Sequence, residues 1–109
     1  MHADHQVFLD AIAQKRKLEV RFLHPKERRE LIRVCAALDF GPLRGAKDTT
    51  PRYQLWDLEG KKKPFNLPLL AADIHSMKIV EETFDPAEII TWQFKPGAWH
   101  VKRDWADFS

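Results

Sequence analysis

Cysteine is nearly absent: the 109-residue chain has one, Cys35. A single thiol cannot close an internal disulfide, so a reducing, cytoplasmic setting is expected. Long apolar runs are missing too. The longest uncharged run, Pro64 to Ala72, falls far short of the roughly 20 residues that span a bilayer. The opening "MHADHQ" has no signal-peptide character, so no membrane partner is expected. Net charge is only +2, too small to argue for nucleic acid by itself. Four glycines form no Gly-rich phosphate loop, and there is no nucleophile elbow and no helical His pair. His2, His5, His24, His75 and His100 offer no metal-ligand spacing beyond the loose His2–His5 pair. Asp57 and Glu59 lie two apart, but hairpin carboxylates are usually solvated. The expectation is a non-enzyme with no metal and no cofactor.

What is present is ordinary for a soluble globular protein: 44% hydrophobic and 31% charged residues, at a length near the mode for one domain. Charge is uneven. Residues 1–63 hold 14 Lys/Arg against 9 Asp/Glu, a net of +5, and residues 64–109 hold 4 against 7, a net of −3. Solvated, self-neutralising charge and an anion-binding face both fit that pattern.

Hydrophobic spacing orders the elements. Val7, Phe8, Ala11 and Ile12 share one face of a helix over 4–15, with Asp4 as its N-cap. The period then changes to two: Leu18, Val20 and Phe22 mark a half-buried strand ended by the turn "HPKERRE". Ile32, Val34, Ala36, Leu38 and Phe40 form the next alternating set, with Arg33, Cys35 and Asp39 opposite. "GPLRGAKDTTP" reads as a loop. Arg52 to Leu58 is a third strand, and the Glu59-Gly60 bend leads to a fourth around Phe65 and Leu67. Pro68 suits the first turn of a short helix through Ala72. Ile74 to Val80 returns to strand, with His75, Met77 and Ile79 on one face, and Asp85 caps a second helix at Pro86. The fold expected is a single domain over 1–109, mainly β (α+β). It would be a small bent antiparallel sheet or an SH3-like/Sm-like barrel with an N-terminal helix, and 87–109 an aromatic-rich C-terminal extension.

The order "FLDAIAQKRKLEVRF", long strand, "RYQLWDLEGKKKPFNL" and "MKIVEETFDP" resembles the WYL-domain family over about residues 6–86. Tyr53-Gln54-Leu55-Trp56-Asp57 stands where that family has its aromatic-rich strand. The resemblance implies a small barrel in a bacterial transcription regulator that senses an anionic ligand through basic residues after the hairpin. Aligned from the hairpin, Lys63 takes the first basic position while Asn66 and Leu69 fall on later ones. Aligned from "EETF", Ile74 matches an isoleucine and Asp73 falls on an arginine position. The resemblance is therefore to a stand-alone, diverged version without most of the basic pocket and without an N-terminal helix-turn-helix.

Three groups carry the candidate chemistry. Tyr53 and Trp56 are three apart on a strand, so they point to opposite faces; Tyr53 goes with Leu55 to the core. Trp56, on the face of Arg52 and Gln54, would stack a base while Lys61, Lys62 and Lys63 neutralise phosphate. The alternative is a Trp covering the barrel end beside a solvated lysine run. Arg29 and Arg33, with Arg28 nearby, add charge, roughly 13 Å apart along one strand face, or simply guard an edge strand. Trp92, Phe94, Trp99, Trp105 and Phe108 crowd the tail among Lys95, His100, Lys102 and Arg103. Trp92 and Phe94 would share a strand face, and Trp105 and Phe108 would be helical neighbours. Such a tail docks back, builds a homodimer, anchors a protein partner or stacks single-stranded nucleic acid. The first reading is a non-catalytic module binding an anionic ligand, nucleic acid or a nucleotide. The second is a protein–protein module using the tail.

Overall fold

Alternation of apolar and polar residues makes five strands here, and α1 covers part of the face they share. The structure, a computed structural model, describes residues 1–45, 47–61 and 63–109. α1 spans His5–Gln14, β1 Arg16–Leu23, β2 Glu30–Gly41, β3 Arg52–Asp57, β4 Asn66–Leu69, β5 Ile74–Thr83 and α2 Pro86–Ile89. Two 3-10 turns cover Ala71–Asp73 and Ala106–Phe108. The strands form one antiparallel sheet in the order β4-β3-β2-β1-β5. The mainly β class and N-terminal helix are as expected; the sheet is open, with β4 and β5 as its edges. Among the described residues, no helix is long and apolar enough to cross a membrane.

Register fixes which side chains face inward. Leu18 opposes Cys35 and Ile79, Val20 opposes Arg33 and Met77, and Phe22 opposes Leu31 and Ile74. On the other flank Ala37 opposes Leu55, and Phe40 opposes Tyr53. α1 sets Phe8, Ala11 and Ile12 against this inner face, all fully buried. Burying each large apolar side chain there contributes about 1.5–3 kcal/mol.

Several local expectations are corrected. The inner face of β2 is the Leu31, Arg33, Cys35, Ala37 set, not Ile32 and Val34, and Ile32 is 46% exposed. A bulge at Leu38, where the register shifts between Ala37 and Asp39, then turns Phe40 inward. A second register shift between Arg21 and Phe22 lets Ile74 and Met77 both face the core. His75 between them is exposed, so it does not share the Met77 face. Pro68 lies in β4 opposite Gln54, not in a helix; an edge strand tolerates its missing N–H. Asp4 makes no side-chain cap to α1, because its Oδ2 accepts from Met77 N at 3.0 Å. Asp85 does cap α2, accepting from Ala87 N at 3.0 Å.

The tail docks on the outer face of β2. Asp39, 4% exposed, accepts from His100 N at 3.0 Å and Val101 N at 2.9 Å. Arg103 Nη2 lies 3.5 Å from Asp39 Oδ1, and the same guanidinium donates to the carbonyls of Leu38 and Val101. That guanidinium also sits between two indoles, 4.2 Å from the Trp99 ring and 4.4 Å from Trp105. Burial pushes its pKa down to about 10, against the pull of Asp39, so it stays charged at neutral pH. Trp105, 2% exposed, donates from Nε1 to Ile12 O at 2.8 Å, tying the tail to α1.

A polar knot closes the N-terminus. Tyr53 Oη accepts from His2 N at 2.9 Å and shares a hydrogen bond of 2.8 Å with His5 Nδ1. His2 Nδ1 accepts from Asp4 N, which leaves Nε2 to donate to Ile74 O at 2.8 Å. Burial, and then the N-terminal charge, hold the His5 pKa below its ordinary 6.5. The unfolded chain therefore binds that proton more readily. Stability is full above about pH 6.5 and falls as pH drops through the lowered folded value. Thermal unfolding at pH 7.5 and pH 5 should show this fall, and His5→Phe should shrink it.

Candidate functional site

The β1–β2 turn and the β3–β4 hairpin stand side by side, and a cleft of about 670 Å3 opens between them. Its apolar floor includes Phe22, Leu31 and Leu67, where α1 contributes no wall. Its walls carry Arg29, Arg33, Lys61 and Lys63 with His24, and also Glu27, Asp57 and Glu59. Arg33 is placed by strand alternation: it opposes the buried Val20 and emerges at the open end of the inner face. Arg29 is not on β2 as expected; it precedes the strand, and the turn is closed at its carbonyl, which accepts from His24 N at 2.9 Å.

The carboxylates of the cleft are already engaged. Arg33 Nε lies 3.7 Å from Asp57 Oδ2, and Arg29 Nη2 lies 3.3 Å from Glu27 Oε1. Glu59 accepts from Val34 N at 2.6 Å, and Asp57 Oδ1 accepts from Glu59 N at 2.9 Å. Lys61 and Lys63, both exposed, have no ion-pair partner among the described residues. Lys62 lies outside the described residues.

The sequence grouped Trp56 and Arg52 with this set, and the fold separates them from it. Asp57 faces the cleft, so its neighbour Trp56 points to the opposite face of the sheet, as alternation requires. There Trp56 meets Phe65 and Trp92, with ring centroids 5.8 and 5.9 Å away. Arg52 lies at the far end of β3, 3.3 Å from Asp48, and its buried Nη1 has no hydrogen-bond partner among the described residues. Tyr53 is fully buried, as the alternation implied.

The tail residues divide likewise. Trp105 is inside the protein's own core, so it is no partner anchor. Phe94, Trp99 and Phe108 pack half-buried against one another, with centroids 5.4 Å (Phe94–Trp99) and 5.9 Å (Phe94–Phe108) apart. Trp99 Nε1 donates to Phe108 O at 2.7 Å. Trp92 and Phe94 lie outside any strand, and Trp92 is 46% exposed. Trp105 and Phe108 are joined as expected, by Phe108 N donating to Trp105 O at 3.0 Å. The residues that sequence reasoning missed are His24, Asp57 and Glu59 as cleft walls, and Asp39 with Arg103 as the tail's fastening. An aspartate inside the apolar run "VCAALDF" was the available signal for the latter.

Comparison with protein-family models, with curated proteins and with solved structures finds no match in any of the three.

Proposed function

We propose that this chain is a non-catalytic binding module whose cleft takes a small phosphate-bearing anion of the nucleotide class. One observation carries the reading: Lys61 and Lys63 of the β3–β4 hairpin have no ion-pair partner among the described residues, in a cleft whose carboxylates are held by Arg29, Arg33 and backbone amides. A volume of about 670 Å3 lies within the range of small-ligand sites. Lys61 and Lys63 neutralise the phosphate, Arg33 turns from Asp57 to grip it, and Phe22 and Leu31 floor the apolar part of the ligand. The WYL resemblance, with Lys63 on the first basic position, implies the same ligand class and a regulatory role. Extended nucleic acid fits less well, because three carboxylates line the cleft and Trp56 is on the other face. Cys35 is no nucleophile in this reading: it is fully buried, and burial pushes its thiol far up.

Calorimetric titration with a nucleoside diphosphate tests the proposal. Binding should weaken with added salt, since exposed charges are screened. Lys61→Ala with Lys63→Ala should lower affinity by up to about 30-fold, because two exposed charge pairs at up to about 1 kcal/mol each sum to about 2 kcal/mol. Folding stability should stay within about 0.5 kcal/mol, as both side chains are exposed. A double variant that binds as tightly as the parent chain would sink the reading.

A further inference from the structure

The outer face of the sheet carries a second concavity, which shares only Leu67 with the cationic cleft. Trp56 of β3 and Trp92 of the tail stand side by side, ring centroids 5.9 Å apart and planes 37° apart. With Trp99, Leu43, Leu67 and Pro68 they enclose about 290 Å3. Leu43, Gln54, Trp92 and Trp99 also line an adjoining hollow of about 440 Å3, so the two form one extended groove. The groove exists only because the tail folds back: Asp39 and Arg103 hold the segment that supplies Trp99.

Two features define what fits there. The first is hydrogen bonding. The indoles of Trp99 and Trp105 donate within the chain, to Phe108 O and Ile12 O. Those of Trp56 and Trp92 have no partner among the described residues, and both side chains reach the surface. Aromatic walls with free N–H donors suit a polyproline II segment. Its rings slot between aromatic side chains, and its carbonyls, which make no internal hydrogen bonds, accept from donors on the wall. The second feature is charge. Arg44 and Lys95 line the adjoining hollow, and its one carboxylate, Asp39, is already bonded to the tail. A negatively charged residue beside the prolines complements that end.

We propose that the Trp56–Trp92 groove docks a proline-rich segment of a partner protein that carries acidic residues next to its prolines. The test is a two-dimensional NMR titration of the whole chain with an octaproline peptide ending in two glutamates. A glycine–serine peptide of the same length and charge is the control. The expected result is saturable shifts of the Trp56 and Trp92 indole N–H signals with the proline peptide alone. Trp92→Ala should weaken binding at least tenfold, and Lys95→Glu several-fold. Trp92 is half-exposed, so unchanged spectra elsewhere will verify that the variant is folded. Lys61→Ala with Lys63→Ala should bind the peptide normally, which separates this groove from the anion cleft. Equal binding of the control, no binding, or full affinity in Trp92→Ala would each overturn the proposal.

Discussion

Asp39→Ala is expected to destabilise the protein by about 3–5 kcal/mol, the cost of leaving one member of a buried ion pair alone. The carboxylate accepts from two backbone amides of the tail and faces the guanidinium of Arg103, whose side chain is fully buried. Its loss strands that charge between Trp99 and Trp105 and leaves the amides of His100 and Val101 without their acceptor. Denaturant unfolding would measure the loss, and the melting temperature should fall by more than about 10 °C. Replacing both members together, Asp39→Leu with Arg103→Met, should recover only the part due to the stranded charge, since the amides of His100 and Val101 stay without an acceptor. A pair whose double variant is as unstable as the sum of the singles would mean the two side chains do not act together.

Trp105→Ala should cost about 3–5 kcal/mol, the usual range for a large aromatic removed from a core. Its ring packs against Phe84 and Trp99, at centroid distances of 5.5 and 5.8 Å, and its N–H reaches the end of α1 through Ile12 O. Trp105→Phe keeps most of the packing and loses the hydrogen bond, so about 1 kcal/mol is expected. Chemical unfolding of both variants gives the comparison. A Trp105→Ala chain of parental stability would show that the tail is an accessory and not part of the core.

These two sites also show where the sequence was legible and where it was not. Period-two spacing placed Leu18, Val20, Phe22, Tyr53 and Leu55 inward because each strand there has one buried and one solvated face. β2 resists that reading. Cys35 to Asp39 are all buried, since α1 covers one face and the returning tail the other, so no alternation remains. The bulge at Leu38 then reverses the parity. Asp39 and Arg103 are 64 positions apart, and only the folded tail brings them together. The cationic cleft was half legible. Arg29, Arg33, Lys61 and Lys63 converge, but local spacing could not reveal that two separate turns meet. Proximity in sequence groups Trp56 with them. Its adjacency to Asp57 already placed the two side chains on opposite faces.

The most direct test of the anion-binding cleft is residue-resolved amide NMR of the chain titrated with pyrophosphate. The account predicts saturable shifts at His24, Arg29, Arg33, Lys61 and Lys63, which line the cleft, with the indole signals of Trp56 and Trp92 unmoved. Shifts centred on Arg52 and Trp56, or no saturable shift at all, would contradict it.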